Sequence, residues 1–232
     1  VADLLSTPAP VLWFTGLSGA GKSTIAEGVH RRLLELDEPS EYLDGEMIPG
    51  FSSAGFTPGD RDAYVRRVGF LASRLSSHGI TAVCALISPY ETSRAWVRRL
   101  CPRFVEIHVA TSLEECERRD MKGLYAAARR GENLQFTGID APYEPPRHSE
   151  LRLDTCRIDV ESAVDVVMAV WGEYRHIPLS SVPLLRAVPR VGLTAAGPVS
   201  SLSVRKVRLR NGLAAVTTSP LTNRSSAVTP PL

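Results

Sequence analysis

The sequence predicts an α/β domain, a five-stranded parallel sheet with helices on both faces. Two observations lead there. Between residues 11 and 173, short apolar runs alternate with longer segments of helical period, the order that lays helices over a parallel sheet. The runs at 11–15 and 80–87 are near-continuous rather than alternating, as strands covered on both faces are. Composition agrees: 232 residues, 44% hydrophobic and 22% charged, can bury one core of ordinary size and are too apolar for global disorder.

Each element follows in order. Val11 to Thr15 is a buried strand ending at glycines. Lys22 to Leu36 carries Ile25, Val29, Leu33 and Leu36 at helical spacing, and Glu41 to Leu43 is a brief second strand. Asp60 to His78 places Tyr64, Val65, Val68, Leu71, Ala72 and Leu75 on one helical face, with Gly79 as its stop. Ile80 to Ile87 is the third strand; Glu91 to Leu100 is helical and ends before Pro102. Phe104 to Val109 is the fourth strand, and Ser112 to Arg119 a helix opened by a capping box of Ser112 and Glu115. Leu151 to Leu153 is the fifth strand and Val160 to Tyr174 the last amphipathic helix. The chain divides into an extension at 1–10, a domain at 11–176 and a tail at 177–232. Ligands of such sheets bind at the carboxyl ends of the strands, so the residues just after each strand are the candidates for function.

Charge and cysteine usage narrow the classes. The net charge of +2 conceals an acidic body, with 19 basic against 25 acidic residues up to Glu173, and eight basic residues with no acid beyond it. A body at −6 is a poor fit for nucleic acid. The tail, with seven prolines and many Ser, Thr, Ala and Val, reads as a disordered solvated extension. Cys84, Cys101, Cys116 and Cys156 form no C-x-x-C pair and the five histidines show no ligand spacing, against a zinc site and in keeping with a reducing cytoplasm. No run reaches membrane-helix length, and Val1 to Pro10 lacks the marks of a secretory signal.

Gly16-Leu-Ser-Gly-Ala-Gly-Lys-Ser23 fits G-x-x-x-x-G-K-[ST] directly after a strand and at the start of a helix. Glycines let backbone N–H groups turn around an anion, and the helix N-terminus adds partial positive charge. Lys22 would reach the β- and γ-phosphates of a nucleoside triphosphate and Ser23 would ligate Mg²⁺. Only three lysines exist against 24 arginines, so a lysine here is a selective choice. Gly16, Ser18, Gly19, Ala20, Gly21, Lys22, Ser23 and Thr24 form the candidate ATP site. Asp44, after the second strand, is placed to hold Mg²⁺ and take an acceptor's proton. Met121 to Gln135 combines Lys122, Arg129 and Arg130 with Gly123 and Gly131, a basic lid able to close over phosphates.

Further motifs follow in order: Leu-Asp-Gly at 43–45, Asp60-Arg61 with Arg66-Arg67, Ile-Ser-Pro-Tyr at 87–90, Arg-Asp-x-Lys-Gly-Leu-Tyr at 119–125 and Phe-Thr-Gly-Ile-Asp-x-Pro-Tyr-Glu at 136–144. With the phosphate loop, this series resembles the adenylylsulfate kinases over residues 10–172. The resemblance implies a P-loop kinase fold and ATP-dependent phosphorylation of the 3′-hydroxyl of adenosine 5′-phosphosulfate (APS) in a cytoplasmic homodimer. It implies that Arg61 holds the acceptor nucleotide, that Phe56 and Phe136 sandwich its adenine, and that Ile87 and Ser88 lie beside it, with Asp44, Glu46, Gly123 and Leu124 completing that side. Lys22, Asp44, Ser88 and Lys122 would be the catalytic set, Ser23 and Asp44 the metal ligands, and Arg119 a neighbour of the ATP adenine. Ser88 matches a position labelled a phosphoserine intermediate, although in-line transfer needs no covalent step.

The family pattern Asp-Gly-Asp-Asn-x-Arg reads Asp44-Gly-Glu-Met-Ile-Pro49 here, and Glu-Asn before the double arginine reads Ala63-Tyr64. Proline offers no donor where an arginine would make a charge-assisted anion contact. Both changes fall on the acceptor side. Three readings therefore stand at this point: a divergent adenylylsulfate kinase, a related kinase for another small-molecule acceptor, and an ATP-binding protein without transfer activity.

Overall fold

A computed structural model describes residues 7–45, 57–132 and 135–177. Five strands, β1 (Val11–Thr15), β2 (Ser40–Asp44), β3 (Thr81–Ala85), β4 (Phe104–Val109) and β5 (Leu151–Leu153), form one parallel sheet in the order β2-β3-β1-β4-β5. The helices are α1 (Lys22–Glu35), α2 (Pro58–Ser77), α3 (Glu91–Leu100), α4 (Leu113–Arg119), α5 (Leu124–Arg129) and α6 (Val160–His176).

Strand alternation sorts the core into two layers. Leu12, Phe14, Val83, Val105 and Ile107 point to the side of α1 and α6. Val11, Trp13, Ala82, Cys84 and Phe104 point to the side of α2 and α3. This is why the central strands read as continuous apolar runs. On the first side Gly28 lets α1 approach α6: a Cβ there would lie 2.7 Å from Val164 Cγ2.

Several boundaries differ from expectation for identifiable reasons. α2 begins at Pro58, not Asp60, because Thr57 caps it: Thr57 Oγ1 accepts from Asp60 N, and the Asp60 carboxylate accepts from Thr57 N, with proline in the first turn. At α4 the expected capping box is only half made. Ser112 Oγ accepts from Glu115 N at 3.3 Å, but the Glu115 carboxylate is taken by Arg118 and Arg119 at 2.7–2.8 Å. β3 stops at Ala85 rather than Ile87, since the Ile87 carbonyl turns to accept from Thr15 Oγ1. The expected basic lid contains a short helix, α5, set between Gly123 and Gly131 at φ 65° and 76°.

β4 also hides charge. Glu106 is buried between Arg94, at 2.7 Å, and Arg98, at 3.1 Å, and Arg98 reaches Glu150 at 2.5 Å. Among the described residues no helix is long and apolar enough to cross a membrane. The tail from 178 onward lies outside the described residues.

Candidate active site

The phosphate loop joins β1 to α1. Gly19 and Gly21 sit at φ 71° and 101°, the left-handed region that side chains disfavour. Among the described residues four loop carbonyls meet side-chain donors, Gly19 O the most weakly, at 3.5 Å from Arg119 Nη1. Leu17 O accepts from Lys22 Nζ at 2.8 Å, Ser18 O from Tyr125 Oη at 2.9 Å, and Ala20 O from Thr111 Oγ1 at 2.9 Å and Thr155 Oγ1 at 3.1 Å. Carbonyls engaged in this way do not face an anion held by the loop. Thr24 is exposed on the first turn of α1. Arg119 donates from Nη1 to Thr155 Oγ1 at 2.8 Å and from Nε to Glu115 at 2.8 Å, so it stands beside the loop and ties α4 to the turn after β5.

β2 delivers Asp44 to the same place. Its Oδ2 accepts from Ser23 Oγ at 2.7 Å and from Tyr42 Oη at 2.8 Å. Lys22 and Asp44 are each only 8% exposed. A lysine, a hydroxyl and a carboxylate thus converge at the carboxyl ends of β1 and β2, as the loop motif and the strand end together predict.

On the other side of the site the Arg61 guanidinium donates to Thr137 Oγ1 and to the Gln135 carbonyl, and burial lowers its pKa. Phe136, between these two acceptors, lies edge-on to Tyr125 with ring centroids 4.9 Å apart. Ile87 is half-buried two residues past the end of β3. Ser88 is 2% exposed at φ 39°; its Oγ accepts from Trp13 Nε1 at 3.1 Å and its carbonyl from Arg94 Nη1 at 2.7 Å. The hydroxyl is therefore turned onto a core indole, and these bonds hold an unfavourable backbone conformation. Lys122 and Gly123 are exposed in the turn leading to Leu124 and α5. Glu46 and Phe56 lie outside the described residues, as does Pro49. Tyr64 is buried and donates to Gly45 O; burial and the nearby Asp44 charge push its pKa up to about 12.

The model of the family described as adenylylsulphate kinase matches residues 8–154. An adenylyl-sulfate kinase of Synechococcus sp. (strain JA-3-3Ab) is 46% identical over 159 residues, covering 68% of this chain and 90% of its own length. That of Chloroflexus aurantiacus is 45% identical over 161 residues, with 68% and 87% covered. The chain belongs to the adenylylsulfate kinase family. Among solved structures, the Mycobacterium tuberculosis APS kinase CysC in complex with AMPPNP and APS superimposes with a TM-score of 0.67 at 40% identity, covering 70% of this chain and 98% of that one.

For this adenylylsulfate kinase family member, sequence reasoning assigned no role to four side chains that the structure brings to the loop or to Asp44. Tyr125 stands in one of the motifs above and reaches Ser18; Thr111 and Thr155 grip Ala20 from the segments just after β4 and β5. Tyr42 reaches Asp44, and only this one left a readable signal, its position two residues before Asp44 on a strand and hence on the same face.

Proposed function

We propose that this chain transfers the γ-phosphoryl group of ATP to the 3′-hydroxyl of adenosine 5′-phosphosulfate, giving ADP and 3′-phosphoadenosine 5′-phosphosulfate. The observation that carries the reading is the 2.7 Å contact of Ser23 with Asp44 beside the phosphate loop, in a chain of the adenylylsulfate kinase family. The Mycobacterium relative that supports it is described with AMPPNP and APS together.

Hydroxyl and carboxylate oxygens are the donors a hard divalent cation takes, so Ser23 and Asp44 fit Mg²⁺ and would hold it. Bound there, it would offset negative charge on the β- and γ-phosphates. The backbone N–H groups of Gly19 to Ser23 and the Lys22 ammonium stabilise charge on the transferring group. Asp44 orients the acceptor hydroxyl and takes its proton. Arg61, Phe136 and Ile87, with Glu46 and Phe56, bind the acceptor nucleotide, and Ser88 shapes the strand end behind it. Lys122, Gly123 and Leu124 close over the phosphates and keep water out. Arg119 flanks the ATP adenine.

ADP release measured with Mg·ATP and either APS or a panel of hydroxyl metabolites tests the reading. Turnover dependent on APS is expected. Turnover with another acceptor and none with APS would instead assign a related metabolite kinase, as Pro49 and Tyr64 on the acceptor side would then explain. Tight Mg·ATP binding with no turnover on any acceptor would assign a non-catalytic ATP-binding protein. Family likeness supports a cytoplasmic homodimer. A relative from Thiobacillus denitrificans is described as hexameric, so molar mass by light scattering is the test of assembly.

A further inference from the structure

The contact between α1 and β2 carries a polar seam. Ser40, Tyr42 and Asp44 alternate along β2 and share one face. α1 answers with Ser23 and His30, seven residues and so two turns apart on one stripe. His30 Nδ1 lies 3.0 Å from Ser40 Oγ. The His30 ring stacks on Tyr42, with centroids 6.1 Å apart and planes at 23°. The Tyr42 hydroxyl donates at 2.8 Å to the Asp44 oxygen that also accepts from Ser23 at 2.7 Å.

Two hydroxyls thus converge on one carboxylate oxygen from two different elements. Ser23 stands in the first turn of α1, whereas Tyr42 is rooted in the sheet and braced by His30. An aspartate side chain has two rotatable bonds, and each donor on its carboxylate narrows its swing. The Tyr42 donor, on a rigid ring, narrows it further.

We propose that Tyr42 is a positioning residue that presets the Asp44 carboxylate for the divalent cation. The proposal rests on the magnesium-dependent kinase reading above. It separates two contributions to nucleotide affinity: the loop and Lys22 bind phosphates with or without metal, and Tyr42 acts only through the metal.

The test is Tyr42→Phe, which keeps the ring and its stack and deletes one hydroxyl. ADP affinity is measured by calorimetry with Mg²⁺ and again with excess EDTA, beside a thermal melt. Wild type is expected to bind ADP more tightly with Mg²⁺. Tyr42→Phe should match wild type in EDTA and lose about tenfold of the Mg²⁺-dependent gain, the size of a hydrogen bond to a charged group. The Mg²⁺ concentration giving half-maximal turnover should rise by about the same factor, with the KM for APS unchanged. An undiminished Mg²⁺-dependent gain in Tyr42→Phe overturns the proposal. So does an equal loss in EDTA and in Mg²⁺ with a lowered melting point, which would make Tyr42 a packing residue. A wild-type protein whose ADP affinity is indifferent to Mg²⁺ overturns the kinase reading itself.

Discussion

Arg94→Leu tests the charged cluster behind the active site. The Arg94 guanidinium is 2% exposed and makes three bonds of 2.7 Å, to Glu106 Oε1, Ser88 O and Glu144 O. Leucine occupies part of the volume but removes the donor from all three acceptors. Breaking a buried ion pair by removing one partner costs about 3–5 kcal/mol, and a buried acceptor left without its donor adds ~1–3 kcal/mol. Arg98 remains 3.1 Å from Glu106 Oε2 and keeps positive charge on that carboxylate. The net loss expected is therefore at the low end of that sum, about 4 kcal/mol. At ~2–4 °C per kcal/mol for a domain of this size, the melting midpoint should fall by ~8–16 °C. Thermal and urea unfolding followed by circular dichroism measure it. Arg94→Lys keeps the charge but not the planar fork, and should lose about half as much. If Arg94→Leu melts within ~2 °C of wild type, the cluster adds no net stability and the reasoning fails.

Other perturbations address the chemistry directly. Lys22→Ala should cut phosphoryl transfer by about 10³-fold or more, read as ADP release. Asp44→Asn should lower kcat by about 10²-fold and reduce metal-dependent nucleotide affinity by about tenfold, at least as much as Tyr42→Phe; near wild-type turnover would remove the carboxylate from the mechanism. Pro49→Arg should lower the KM for APS about tenfold if the missing donor is what weakens acceptor binding, and leave it unchanged if the site suits another acceptor. For pH, burial first, then the Arg152 and Arg94 charges, hold His108 down from 6.5 to about 4. The unfolded chain takes up a proton near pH 6.5 that the folded chain refuses until about 4, so stability should decline as pH falls through that window, by at most ~1.4 kcal/mol per unit. Urea titrations across the window should show that slope flattened in His108→Asn.

The fold was legible because its central strands are short apolar runs covered on both faces, a pattern that survives without tertiary knowledge. The core of the site was legible for a related reason. Lys22 and Ser23 are set by a local loop and Asp44 by the end of a strand, and strand ends in a parallel sheet converge. The helix inside the lid was hidden because Leu124 to Arg129 is too short to show a period, and its ends are set by Gly123 and Gly131. Contacts set by distance along the chain were not legible either. Trp13 reaches Ser88 across 75 residues and Tyr125 reaches Ser18 across 107; no spacing rule encodes either pair. Ser88 shows the consequence: its place after β3 pointed to the acceptor, while its hydroxyl is committed to the indole beneath.

The ties on the phosphate loop mean that the eight-residue motif is not portable. Of the side chains gripping its carbonyls among the described residues, only Lys22 travels with the segment; Thr111, Arg119, Tyr125 and Thr155 belong to scaffolding more than 85 residues downstream. A graft of residues 16–23 into another strand–helix junction would carry the letters of the motif without its stiffness. Transplanting the grip requires importing the anchors as well.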